Sequence, residues 1–197
     1  WRLQPVARLK PLLVQLIEGI AALHSAGILH LDLKPANILV TREGRVVILD
    51  FGVSRLMSTF EAGKNRMAGT PQFMAPEQQH GQASPASDWY AFGVLLYELL
   101  SGELPFEGSV DEIFLQKKIQ PPHPPGPKAL VDLCLELLAF APDQRPKPAD
   151  ILQVIEADSL KGSTVTLSES AAPAPYVNRS EELEILGRAF QNACSGE

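Results

Sequence analysis

The chain has 197 residues, 45% of them hydrophobic and 20% charged, which is enough for one sizeable core plus a tail and too apolar for a disordered polypeptide. A net charge of −6 argues against a nucleic-acid or anionic-membrane surface. Cys134 and Cys194 are the only cysteines and the four histidines are scattered, so neither a disulfide framework nor a zinc cluster is legible, and the expected compartment is reducing, the cytoplasm.

The first residues carry no signal-peptide pattern. The longest apolar stretch, Trp89 to Leu100, is too short to span a bilayer and contains Glu98. Residues 11 to 24 show helical periodicity, with Leu13, Leu16, Ile17, Ile20 and Leu23 on one face. Pro11 predicts the first turn of that helix, and Gly27 its exit.

Ile28-Leu29 leads into His30-Leu31-Asp32-Leu33-Lys34-Pro35-Ala36-Asn37, which packs an acid, a base and an amide into eight residues. The β-branched runs Ile38-Leu39-Val40 and Val46-Val47-Ile48-Leu49 follow, joined by a short loop containing Gly44, and read as a β-hairpin. Asp50-Phe51-Gly52 comes next. Antiparallel pairing puts the start of the first strand beside the end of the second. Asn37 and Asp50 should therefore meet at one end of the hairpin, with Asp32 and Lys34 close by. Oxygen donors gathered there suit Mg²⁺. A neighbouring carboxylate can take a proton from a hydroxyl, and a neighbouring lysine can neutralise a phosphate oxygen. Taken singly, Asp32 reads as a turn aspartate, Lys34 as a solvated lysine, Asn37 as a turn residue and His30 as a core histidine bonded to backbone. Together, at these spacings, they favour catalysis.

HLDLKPAN resembles the catalytic loop of protein kinases, in the form typical of the serine/threonine branch, and Asp50-Phe51-Gly52 resembles the family's metal-binding triplet. The resemblance covers roughly residues 5 to 157. It implies a mainly α fold with a small β-hairpin, the large lobe of the kinase domain, with the first helix supporting the catalytic loop. It implies ATP and Mg²⁺, with Asp32 accepting the proton of a Ser or Thr hydroxyl on a protein substrate. Lys34 would stabilise the transferring phosphoryl group, Asn37 and Asp50 would hold the metal, and His30 would pack and orient. Leu31 departs from the family, where arginine at this position pairs with a phosphate on the activation segment. Ordering of that segment should therefore not depend on phosphate at Ser54, Ser58, Thr59 or Thr70.

Residues 53 to 74 read as a long loop. Its end, Gly69-Thr70-Pro71-Gln72-Phe73-Met74-Ala75-Pro76-Glu77, resembles the substrate-docking end of an activation segment, and Met-Ala-Pro-Glu-Gln looks more like bacterial than animal relatives. There Thr70 would hydrogen-bond near Asp32 and Lys34; on its own it is a turn threonine before proline. Residues 88 to 100 are apolar on nearly every face and predict a buried helix. Asp88 at its start would satisfy free N–H groups. In the resemblance it also holds the backbone of the catalytic loop. A short helix is predicted over 111 to 119. The prolines at 121, 122, 124, 125 and 127 exclude regular structure before the helical pattern resumes at Lys128. Pro142-Asp143-Gln144-Arg145-Pro146 resembles a late family motif in which Arg145 pairs with Glu77. Residues 149 to 156 read as the final helix.

Residues 158 to 175, rich in Ser, Thr, Ala and Pro, read as a linker. Residues 176 to 190 resemble the opening of a bacterial AAA-type ATPase module fused after a kinase, with a plain C-terminal helix as the competing reading. No two glycines stand two apart, so the sequence holds no G-x-G phosphate loop, and it has no phosphate loop of the GxxxxGK type. The small lobe is thus expected to lie outside this stretch. The parent protein is then expected to be the active kinase and this piece not to work alone. The rival readings are a pseudokinase acting as a binding scaffold and a sensor kinase regulating a fused ATPase.

Overall fold

The computed structural model describes residues 6–50, 55–56, 70–119, 121 and 123–157. All of them fall in the first of the chain's two units, Trp1–Ser163. Most of the loop expected at 53–74, the linker at 158–175 and the ATPase-like segment at 176–190 lie outside the described residues.

Among the described residues five α-helices form the body: α1 Val6–Ser25, α2 Pro85–Ser101, α3 Val110–Gln116, α4 Lys128–Leu137 and α5 Pro148–Ala157. The strands are short: β1 Ile28–Leu29, β2 Ile38–Val40, β3 Val46–Ile48 and β4 Arg55–Leu56. The architecture is the mainly helical one with a small hairpin that the sequence suggests. β2 and β3 pair antiparallel, Ile38 opposite Ile48 and Val40 opposite Val46. A second pairing, β1 with β4, was not legible, because each partner is only two residues long and they lie far apart in sequence.

The helix boundaries follow local chemistry. Helix α1 begins before Pro11, which therefore lies inside the helix and not in its first turn as expected. Pro11 has no N–H to donate to Ala7, which is tolerable this close to the helix start. Gly27, at φ +76°, ends the turn after α1 in the left-handed region that favours glycine. Helix α2 starts at Pro85 with Ser84 as its cap, and the backbone N–H of Ser84 donates to the Ser87 hydroxyl oxygen at 3.0 Å. Helix α3 has a reciprocal cap: the N–H of Ser109 donates to Glu112 Oε2 at 2.8 Å, and the N–H of Glu112 donates to Ser109 Oγ at 3.4 Å.

Helix α2 is the central post. Every residue from Ser87 to Tyr97 is buried, as expected of a helix apolar all round. It packs on α4, while α1 packs on α5 and β3. At Gly93 the approach of α4 is so close that an added Cβ would stand 2.7 Å from Leu137 Cβ. The hairpin is seated on α1, where Ile48 reaches within 3.1 Å of a Cβ placed at Gly19. Gln15 of α1 locks it there, donating from Nε2 to Gly44 O at 3.0 Å and accepting the N–H of Val46 at 3.0 Å. Among the described residues no helix is long and apolar enough to cross a membrane.

Candidate active site

The loop from His30 to Asn37 leaves β1 and ends in a 3₁₀ turn, Pro35–Asn37, that runs straight into β2. Its shape is imposed from below by Asp88. That carboxylate accepts the N–H of His30 at 2.9 Å and of Leu31 at 2.8 Å, and His24 Nε2 sits 2.8 Å from its Oδ2. The expectation that Asp88 caps its own helix needs correction: Ser84 is the cap, and Asp88 faces the loop one turn in. Leu31 adopts φ +64°, a left-handed conformation costing a branched residue about 1–2 kcal/mol. The surroundings hold it there, with Asp88 taking its N–H and Gln78 Nε2 donating to its carbonyl at 3.4 Å.

His30 is fully buried. Its Nδ1 receives the N–H of Asp32 at 3.3 Å, so its Nε2 is the protonated nitrogen and donates to Leu49 O at 3.0 Å. Leu49 is thus gripped twice, because its N–H also donates to Asn37 O at 2.8 Å. This extends the ladder by one pair and puts Asn37 and Leu49 opposite each other at the open end of the hairpin. Asp50 follows directly, exposed and at φ +59°, a conformation aspartate tolerates better than most residues.

Asp32 sits at the centre, 7% exposed. Its Oδ1 accepts the N–H of Thr70 at 2.9 Å and the Thr70 hydroxyl at 3.0 Å. Its Oδ2 accepts Asn37 Nδ2 at 3.1 Å and lies 2.7 Å from Lys34 Nζ. Asn37 Nδ2 also donates to the Asp32 carbonyl at 2.8 Å, which leaves Oδ1 as the amide atom able to meet a cation. Lys34 Nζ donates to Thr70 Oγ1 at 2.8 Å. Burial pushes the Asp32 carboxyl up, but the hydrogen bonds from Lys34 and Thr70 and the lysine's charge outweigh it and hold the group below its usual range. It is a carboxylate at neutral pH, with all four lone-pair directions occupied.

The structure therefore gathers Asp32, Lys34, Asn37 and Thr70 into one bonded cluster and puts Asp50 at the adjoining end of the hairpin. The donor atoms at that end, an amide oxygen and a carboxylate, are hard oxygens of the kind Mg²⁺ prefers. Among the described residues no group of three His, Cys, Asp or Glu side chains could hold a metal by itself, so a cation here would have to complete its shell with water or substrate oxygens. Glu77 and Arg145 stand apart from this cluster and join each other by two bonds, of 2.7 and 2.9 Å. Sequence reasoning missed His24 and Gln15, which shape the site from α1. Their signal, a polar residue on an otherwise apolar helix, was present but does not name a partner.

Comparison with known proteins agrees with the geometry. Residues 4–155 match the family model for the protein kinase domain. The chain is 37% identical to a serine/threonine-protein kinase, pkn2, of Myxococcus xanthus over 83% of its own length and 21% of that protein's. It is 42% identical to serine/threonine-protein kinase PknA of Mycobacterium tuberculosis over 62% of its length and 29% of the relative's. It is 36% identical to the probable serine/threonine-protein kinase PknB of Corynebacterium glutamicum over 93% and 26%. The chain thus spans between a fifth and a third of these curated relatives.

Proposed function

The chain belongs to the protein kinase domain family, and from that premise we propose that the 30–50 segment is a phosphotransfer centre moving the γ-phosphoryl group of ATP to a Ser or Thr hydroxyl of a protein. The observation that carries the proposal is the carboxylate of Asp32 bonded at once by Lys34, Asn37 and Thr70, at the end of the hairpin where Asp50 emerges.

In this reading Asp32 accepts the hydroxyl proton. Its depressed pKa keeps it ready as the base but makes it a weak one, which suits orienting the hydroxyl and removing the proton late. All its lone pairs are occupied, so one donor must leave before a substrate hydroxyl can bond. Lys34 is that donor: its side chain is 27% exposed, against 7% for Asp32, and its ammonium is the group a phosphoryl oxygen attracts. As Lys34 turns to the phosphate, one lone pair of Oδ2 becomes free for the acceptor while Asn37 keeps the other. Thr70 keeps Oδ1 fixed and borders the acceptor slot. Asn37 Oδ1 and the Asp50 carboxylate would hold Mg²⁺, which supplies charge neutralisation for the phosphates when bound. No interaction in this set needs the arginine that Leu31 replaces. The bacterial serine/threonine kinases among the relatives support a bacterial-type kinase; the rival reading, a sensor kinase regulating a fused ATPase, rests on the linker-like composition of residues 158–175 and the sequence of residues 176–190 alone.

The test is phosphate transfer from labelled ATP to a library of Ser- and Thr-containing peptides by the full-length gene product. Asp32→Asn should cost at least about a hundredfold in rate with the fold retained. Chelating Mg²⁺ should abolish transfer, and Asp50→Asn should raise the Mg²⁺ concentration needed. A wild-type protein that binds its partners but transfers no phosphate would favour the scaffold reading instead.

A further inference from the structure

One buried cation takes no part in the chemistry above. Lys117, at the C-terminal end of α3, is 2% exposed, a rare position for lysine. Among the described residues no carboxylate forms an ion pair with it. Its ammonium donates to Pro71 O at 2.6 Å and to Met74 O, and it lies 5.1 to 5.8 Å from the ring centroids of Phe114, Tyr90 and Phe106. Both carbonyls belong to the turn that begins at Thr70, where the N–H groups of Phe73 and Met74 donate back to Thr70 O at 3.0 and 3.1 Å. Thr70 is the residue that bonds Asp32 through its N–H and hydroxyl. An unbroken series of bonds therefore runs from α3 through the 70–74 turn to the Asp32 carboxylate, across a sequence separation that only the fold closes.

We propose that Lys117 is a positioning residue for the acceptor: it clamps the 70–74 turn to α3, and so holds Thr70 in the place where Asp32 and Lys34 receive a Ser- or Thr-bearing peptide. The proposal rests on the phosphotransfer reading of Asp32 for its kinetic consequence, but not for the clamp itself. The charged form makes the stronger bonds, since a protonated donor strengthens a hydrogen bond about twofold and gains from the rings beside it. Burial lowers the Lys117 pKa to about 7, against a smaller opposing effect of Glu77. Among the described residues the other charged or titratable groups around it are Glu77 and Arg145, which are paired with each other, and Tyr90, whose phenol burial pushes far above its ordinary range. Raising the pH through about 7 should thus discharge Lys117 and loosen the turn. The effect on global stability has the opposite sign. An unfolded lysine keeps its proton up to about 10.5, so between the two values the unfolded chain binds more protons and stability rises with pH. A clamp that weakens while the fold strengthens separates positioning from a merely structural role.

The experiment uses the full-length gene product with Lys117→Met and Lys117→Arg, kinetics from pH 6 to 9 with acceptor peptide and ATP varied in turn, and hydrogen exchange of residues 70–75. Wild type should show an acceptor KM that rises with pH while the KM for ATP stays level. Lys117→Met, which removes both charged hydrogen bonds, should raise the acceptor KM at least about tenfold at pH 6 and abolish its pH dependence. Lys117→Arg should recover part of the loss and stay level with pH. An acceptor KM that is unchanged in Lys117→Met, or that follows the wild-type pH curve, overturns the proposal. If wild type transfers no phosphate, the phosphotransfer reading fails separately, and exchange decides the clamp: amides of Phe73 and Met74 exchanging no faster in Lys117→Met overturn it. If Lys117→Met does not fold, a wild-type acceptor KM and a protection of the Phe73 and Met74 amides (their exchange relative to the unstructured rate at each pH) that are both flat from pH 6 to 9 overturn it.

Discussion

Replacing Arg145 by methionine should destabilise the protein more than replacing Glu77 by glutamine, although each removes the same ion pair. The pair is nearly dry, with side-chain exposures of 1% for Arg145 and 7% for Glu77. Removing one partner of such a pair costs about 3–5 kcal/mol, because the other charge stays buried. The two stranded groups are not equally provided for. Without Glu77, Arg145 keeps carbonyl acceptors at Ala139 (2.9 Å), Ala86 (2.9 Å) and Phe140 (3.2 Å), and its guanidinium still lies 4.9 Å from the Tyr90 ring. Without Arg145, Glu77 keeps the Ser87 hydroxyl at 2.7 Å, and three carbonyls lose a donor as well. Glu77→Gln should therefore fall near the low end, about 3 kcal/mol, and Arg145→Met near the high end, about 5 kcal/mol. The double variant should cost less than the sum by at least about 2 kcal/mol, as expected of directly bonded groups. Equilibrium urea unfolding followed by Trp89 fluorescence measures all three. Equal single costs, or additive ones, would refute the reasoning.

Gly93→Ala should lose about 2–3 kcal/mol in the same assay, because its Cβ would meet Leu137 Cβ at 2.7 Å and the backbone of α4 cannot retreat without opening the core. Asp88→Asn should lower kcat and speed hydrogen exchange at His30 and Leu31, since a neutral amide can offer only one acceptor to the two N–H groups the carboxylate now takes; unchanged exchange would show that the loop holds itself. Asp32 contributes stability that is present above its unfolded pKa and lost as pH falls through its lower folded value, so acid unfolding of Asp32→Asn should begin less steeply than in wild type, and the acid limb of kcat/KM should lie below the ordinary aspartate range. Tyr90→Phe should be neutral or slightly stabilising, because the Tyr90 hydroxyl is buried with no hydrogen-bond partner among the described residues.

Much of the site was legible because its parts are close in sequence. Asp32, Lys34 and Asn37 lie within six residues, and the 38–48 hairpin closes on itself through a short turn. Antiparallel pairing alone therefore put Asn37 and Asp50 at one end of the hairpin, while the register, with Leu49 opposite Asn37, came from the structure. The buried α2 post and the Gly27 exit followed equally from local pattern. The Pro11 boundary was misread because a proline near a helix start is compatible with either side of the first turn. What the order of residues could not convey was which buried polar groups would meet across long loops. Lys117 is 46 positions from Pro71, and Asp88 is 58 from His30. Lys117 carried no legible role in the sequence, and Asp88 read as a helix cap that, through the family resemblance, also holds the catalytic loop. Their roles arise from desolvation: once the core excludes water, each must find acceptors or donors wherever the packing puts them. The sequence determined which atoms could do the chemistry, whereas the packing of α1, α2 and α3 decided what holds those atoms in place.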